Sequence, residues 1–285
     1  RCAVNPLLGR EVDNLAPLEK GEGTVIVIGA GPAGIQSALT LSQRGFKVEL
    51  YDKRAELCGS LNLANKAPNK FRMDNLIRWY THTVEKDPNI TVHLNTEITT
   101  EKLDEFKAMN PYAVVLASGG LPVVPRSIPG IDKGVACFDV LNGKVKFSGK
   151  TVAVIGGGMT GLETAERLAE DGNKVVIIEM MPIIGNGIYF YNVRRTRRQL
   201  EAKGAEIKTN TALVEIKDGA IVVEPSNANY IGSGLEGIKN IAGVADAVEE
   251  DEHTGPYEIA VDATVLSLGI RPELGMLDEI EKRFE

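Results

Sequence analysis

Cysteine, histidine and long apolar runs are all scarce in this chain. Its 285 residues hold three cysteines, Cys2, Cys58 and Cys137. They are too few and too scattered for a disulfide framework, and without a C-x-x-C pair they exclude a thioredoxin-type dithiol mechanism. The three histidines, His82, His93 and His253, lie on three separate segments. No pair has the spacing of a metal site, and none is assigned a catalytic role. No apolar run approaches the roughly 20 residues that cross a bilayer. The first 20 residues carry charges and prolines where a secretory signal has its apolar core. Cations are outnumbered, 32 Lys and Arg against 39 Asp and Glu, for a net charge of −7; a nucleic-acid surface needs the opposite balance. These absences leave a cytoplasmic protein with neither membrane nor nucleic acid as partner.

Glycine, by contrast, is abundant and placed. Gly29-Ala30-Gly31-Pro32-Ala33-Gly34 follows the apolar run of residues 24–28, and Gly156-Gly157-Gly158-Met159-Thr160-Gly161 follows that of residues 152–155. In such a turn the first glycine permits the bend and the second admits a pyrophosphate. The third lets the helix pack on the strand, so that the phosphates meet a positive helix N-terminus. An isolated glycine motif is weak, and a second strand ending in an acid strengthens it. Both turns have one. Helix 35–44, a stop at Gly45 and strand 46–51 lead to Asp52; helix 162–170, a stop at Gly172 and strand 173–178 lead to Glu179. Each acid is placed to accept hydrogen bonds from an adenosine ribose. Glu179 points to NADH, because a carboxylate repels a 2′-phosphate. Arg194, Arg195, Arg197 and Arg198 either pair with such a phosphate and admit NADPH, or form the solvated face of a helix over 189–203.

The pattern predicts an α/β fold of two Rossmann-like dinucleotide-binding domains in the three-layer ββα style. Further elements are an amphipathic helix over 72–86, strands at 90–94 and 113–116, a proline-stiffened connector over 121–130 and a hairpin around Asp218-Gly219. Residues 226–254 are less patterned and read as a surface excursion.

The order of these motifs resembles the two-dinucleotide flavoproteins of the glutathione reductase type. The residues carrying the likeness are the glycine turns and their acids, Leu57-Cys58-Gly59-Ser60-Leu61-Asn62-Leu63-Ala64, Ala117-Ser118-Gly119, Ile128-Pro129-Gly130, and Leu162-Glu163-Thr164-Ala165. Within that group it is similar to the C-terminal region of the 2,4-dienoyl-CoA reductase and 2-enoate reductase family of iron–sulfur flavoproteins. The opening Arg1-Cys2-Ala3-Val4-Asn5-Pro6-Leu7-Leu8-Gly9-Arg10-Glu11 carries much of that assignment. The resemblance implies a lead-in over 1–22 that follows a missing FMN barrel and cluster loop, an FAD domain over 23–122 and an NAD(P) domain over 123–270. Residues 271–285 begin a return to the FAD domain that stops before the family's flavin-contacting turn, leaving that domain truncated.

The implied function is electron input to an ene-reductase acting on enoyl-CoA or 2-enoate double bonds. NADH or NADPH reduces FAD, and a 4Fe-4S cluster and FMN in the parent protein carry the electrons onward. Two other classes stay open. One is an adenine-nucleotide-binding structural domain of the trimethylamine dehydrogenase kind; the other is a stand-alone flavin reductase or NADH oxidase. The oligomeric state, homo-oligomer included, is open too.

Position by position, the likeness gives Gly29, Gly31, Pro32, Ala33 and Gly34 to the FAD pyrophosphate and Asp52 to its ribose. Lys53 flanks that ribose or faces solvent. Gly59, Ser60 and Leu61 lie along the FAD, Ile98 meets the adenine, and Ala117, Ser118 and Gly119 close over the cofactor. Gly156, Gly158, Met159, Thr160 and Gly161 take the pyrophosphate of the nicotinamide cofactor, Glu179 its ribose, and Leu268 and Gly269 its ring. Glu163 lies near nicotinamide and flavin, or simply favours the start of a helix. Cys2 matches a cluster ligand of the full-length parent, although one thiolate alone cannot hold four irons. Cys58 and Ser60 depart from the family's usual glycine and glutamine. Cys58 is then either redox-active or a buried inert thiol.

Overall fold

The structure, a computed structural model, describes residues 5, 8–9, 19–185, 188–226 and 253–284. Cys2 and most of the 226–254 segment lie outside the described residues.

In chain order the elements begin with β1 (Thr24–Ile28), α1 (Pro32–Gln43), β2 (Lys47–Tyr51), α2 (Leu61–Ala64), α3 (Met73–Lys86), β3 (Ile90–His93), α4 (Thr100–Ala108), β4 (Ala113–Leu116) and β5 (Gly120–Pro122). They continue with β6 (Val135–Ala136), α5 (Cys137–Leu141), β7 (Thr151–Ile155), α6 (Met159–Glu170), β8 (Lys174–Ile178), α7 (Phe190–Ala202), β9 (Glu206–Lys208), β10 (Thr211–Lys217) and β11 (Ala220–Pro225). The last are β12 (Tyr257–Ala260), β13 (Ala263–Leu266), β14 (Ile270–Pro272) and α8 (Leu277–Phe284). The chain forms two compact units. Residues 122–271 make the second, and the segments on either side of them make the first.

The first unit is a parallel sheet in the order β3-β2-β1-β4. Its central strand β1 is apolar on both faces, as a strand covered on both sides must be. Val25, Val27, Val48 and Leu50 point into a core shared with Ile35, Ala38, Tyr80 and Val84 of α1 and α3. Ile26, Ile28 and Tyr51 point the other way, onto Leu103 and Phe106 of α4 and Ile280 of α8. The layer on this second face is therefore helical.

In the second unit a parallel sheet runs β6-β13-β7-β8-β9, and an antiparallel sheet runs β10-β11-β12. Along β7 and β8 the side chains again alternate. Val152, Val154, Val175 and Ile177 join the helices, while Ala153, Ile155, Val176 and Ile178 join Ile216, Ile221 and Val223 of the antiparallel sheet. This is the ββα layering expected of both units; in the first, helices α4 and α8 cover the second face of the sheet instead, because their apolar residues supply the same cover. The hairpin at Asp218-Gly219 forms with Lys217 opposite Ala220 and Gly219 at φ +80°. In each unit the strand before the glycine turn has neighbours on both sides, β2 and β4 for β1, β8 and β13 for β7. That is the crevice at the carboxyl ends of strands where such sheets take ligands.

Most boundaries fall within a residue of the expectation, and the starts of the two helices after the glycine turns differ by more. The helices start at Pro32 and Met159, three residues earlier than the propensity pattern suggests. Proline is tolerated at the first helical position, and a glycine inside the first turn is retained where the chain packs too closely for any side chain.

Candidate dinucleotide sites

The first turn assigns each glycine a different job. Gly29 sits at φ +105°, and a Cβ there would stand 2.2 Å from the Ala117 carbonyl oxygen. Its N–H donates to the Tyr51 carbonyl at 2.7 Å, locking the bend to β2. A Cβ on Gly34 would come within 1.7 Å of the Gly29 carbonyl oxygen, so α1 packs here only because the position is bare. At Gly31 a Cβ would meet nothing within 4 Å. Gly31 is also the residue before α1, and no side chain caps that helix. Open space thus lies in front of unsatisfied N–H groups.

Asp52 is held by this turn. Its Oδ2 accepts from the Ala30 N–H at 2.7 Å and its Oδ1 from the Arg54 N–H at 2.8 Å, which leaves further lone pairs on each oxygen. A cavity of about 670 Å³ opens beside it. Of the expected residues, Gly29, Gly31, Pro32, Ala33, Asp52, Lys53, Gly59, Ser60, Ile98, Ala117, Ser118 and Gly119 all line this cavity. Gly34 stands behind the turn, and Leu61 packs against the core instead. The cavity wall also includes Arg54, Thr96, Glu97, Glu273 and Met276, which the sequence did not single out. Thr96 and Glu97 adjoin the expected Ile98. Glu273 and Met276 arrive from the far end of the chain, joined to the Ala117–Gly119 turn by the Ser118 hydroxyl donating to the Glu273 carbonyl and by the Glu273 N–H donating to the Gly119 carbonyl at 3.0 Å. No local pattern announces them.

The second turn repeats the first almost atom for atom. Gly156 has φ +102° and a Cβ position 2.2 Å from the Ser267 carbonyl oxygen. Gly161 would strike the Gly156 carbonyl oxygen at 1.9 Å, and Gly158 again faces open space. Glu179 accepts from the Gly157 N–H at 2.7 Å and from the Met181 N–H at 2.8 Å. Met159 and Thr160 form the first residues of α6, which has no side-chain cap. Thr160, Leu268 and Gly269 line a smaller, largely apolar cavity of about 160 Å³ with Cys137 and Phe138. Glu163 is one turn further along α6, half-buried, and lines neither cavity.

The remaining candidates have ordinary surroundings. Cys58 and Cys137 are free thiols buried in the cores. Burial pushes the Cys58 thiol up, outweighing its hydrogen bond with Thr81, and burial likewise outweighs the Ser267 contact at Cys137. A raised thiol pKa is the opposite of a reactive one. Cys58 also sits at φ +75°, the conformation glycine takes at little cost. His93 meets Glu49 at 2.6 Å, its ring stacked on Tyr51 at 4.3 Å. On α7, Arg194, Arg195 and Arg198 are exposed, and Arg197 pairs with Glu201 at 2.6 Å. Among the described residues, no three His, Cys, Asp or Glu side chains cluster in a way that would hold a metal, and no helix is long and apolar enough to cross a membrane.

Known proteins share this sequence and fold. The chain is 37% identical over 226 residues to an NADH oxidase of Thermoanaerobacter brockii, covering 76% of this chain and 33% of that protein. It is 32% identical over 285 residues to a bilirubin reductase of Mediterraneibacter gnavus, covering 99% of this chain and 39% of the relative. A solved structure of a 2-naphthoyl-CoA reductase with 2-naphthoyl-CoA superposes with a TM-score of 0.78 at 28% identity, over 98% of this chain and 38% of that one. The chain thus spans well under half the length of these relatives. Residues 23–282 match the model of a single family, and the chain belongs to it: the pyridine nucleotide-disulphide oxidoreductases.

Proposed function

We propose that this chain is the NAD(P)H-oxidising, FAD-binding module of a larger ene-reductase, whose remainder carries FMN and a 4Fe-4S cluster and acts on an enoyl-CoA or 2-enoate double bond. The single observation that carries the reading is the repetition of one cradle in two units. Both have an open second glycine, a third glycine that admits no side chain, and a carboxylate clasped by two backbone N–H groups. Two dinucleotides in one chain make an electron transfer between them the natural use. The similarity to a reductase solved with 2-naphthoyl-CoA, and the short span of this chain against it, support a missing partner domain.

On this reading the first unit holds FAD and residues 122–271 hold the nicotinamide nucleotide. When bound, the nicotinamide supplies two electrons and the flavin accepts them; the protein's part is alignment. Gly31 and Gly158 leave room for each pyrophosphate at a helix N-terminus. Asp52 and Glu179 offer their remaining lone pairs to ribose hydroxyls. Because Glu179 is fixed by two N–H donors, it cannot turn away from a 2′-phosphate, which favours NADH. No acid or base is needed beside the nicotinamide, and burial keeps the Cys58 and Cys137 thiols protonated.

The test is spectroscopic. The purified chain is expected to take up FAD, to bleach on adding NADH, and to reduce ferricyanide at least about tenfold faster with NADH than with NADPH, a difference of about 1.4 kcal/mol. A colourless protein that binds only ADP would instead make it a nucleotide-holding structural domain. A preference for NADPH would overturn the role given to Glu179.

A further inference from the structure

The two cradles share their backbone but not the residues that follow the acid. Asp52 is followed by Lys53 and Arg54, Glu179 by Met180 and Met181. Arg54 and Met181 occupy the same place, each donating its N–H to the acid at 2.8 Å. The backbone of Arg54 is pinned further by its carbonyl, which accepts from the Asn95 N–H at 2.9 Å. From this fixed point the side chain reaches the glycine cleft. A Cβ built on Gly59 would lie 3.6 Å from an Arg54 guanidinium nitrogen and 3.0 Å from the Gly31 Cα. The guanidinium therefore stands beside the open space in front of Gly31, in the wall of the large cavity. It is exposed, and it makes no hydrogen bond or ion pair with the other described residues.

We propose that Arg54 is a phosphate-binding residue of the first site, its guanidinium supplying the counter-charge to the diphosphate held over Gly31 and Gly59. This rests on the first cavity being a dinucleotide site. A planar guanidinium offers paired donors to phosphate oxygens, and the pinned backbone sets the point from which it reaches them. The thioether of Met181 offers the second site nothing comparable.

Binding of FAD, ADP and adenosine to the purified chain and to Arg54→Gln and Arg54→Lys, followed by calorimetry at low and high salt, tests this. Arg54→Gln is expected to weaken FAD and ADP about tenfold, to flatten the salt dependence of both, and to leave adenosine unchanged; Arg54→Lys recovers part of the loss. Equal FAD and ADP affinity in Arg54→Gln and the unaltered chain would overturn the role of Arg54 while leaving the dinucleotide site standing. An equal loss of ADP and adenosine would overturn it as well, by showing a structural fault. An unaltered chain that binds neither FAD nor ADP would remove the site itself.

Discussion

Gly31 and Gly34 stand three residues apart and answer to different forces. At Gly34 the constraint is internal, because a methyl group would overlap the Gly29 carbonyl at 1.7 Å. At Gly31 nothing in the protein competes for the space, so on the proposed function the constraint there is the diphosphate of the bound nucleotide. Gly31→Ala is expected to change stability by no more than about 0.5 kcal/mol and yet to abolish FAD uptake. Gly34→Ala is expected to lose about 3 kcal/mol or more as the helix is pushed off its strand. Thermal melts paired with a flavin titration separate the two effects. Gly158 and Gly161 repeat the contrast in the second unit, read with NADH in place of FAD. The bends at Gly29 and Gly156 and the close packing at Gly34 and Gly161 were legible in the sequence because a glycine motif is a local constraint on a short backbone. Arg54, Glu273 and Met276 were not legible: a flexible cation and a distant return segment reach the cavity only through the fold.

At the scale of elements, the strands were the easiest to read. Continuous apolar runs such as residues 25–28 and 175–178 have few alternatives to a doubly covered strand. Helices α3 and α7 announced themselves by amphipathic spacing. Helices α4 and α8 did not, being short and strongly charged, and what makes α8 structural is its partner surface. Ile280, with Met276 and Phe284, closes over Ile26, Ile28, Leu103 and Phe106 on the second face of the first sheet. Ile280→Ala is therefore expected to cost about 2 to 4 kcal/mol in a denaturant titration. Replacing the exposed Glu281 on the same helix by alanine is expected to stay within about 0.5 kcal/mol. Equal effects from the two would show that α8 does not cover that face.

Across the whole molecule, buried titratable groups share one direction. Burial raises the thiols of Cys58 and Cys137 and the phenols of Tyr51 and Tyr80 above their ordinary values. The fold favours the protonated form of each. Their contribution is thus complete below the ordinary thiol range near about 8.5 and is lost as pH rises through the higher folded-state values. Melting temperatures from pH 7 to 10.5 are expected to fall above about pH 9 and to fall less in Cys58→Ser and Cys137→Ser. A flat profile would show that these groups titrate as they do in the unfolded chain. The sequence by itself determined two parallel nucleotide-binding sheets, their glycine turns and the acids that follow them, since all of these are patterns within some thirty contiguous residues. Only the tertiary structure decided which residues wall the large cavity, that both carboxylates are held by backbone N–H groups, and that the last helix completes the first sheet. Those features join segments far apart in the chain, and their closeness is fixed by packing that no local pattern encodes.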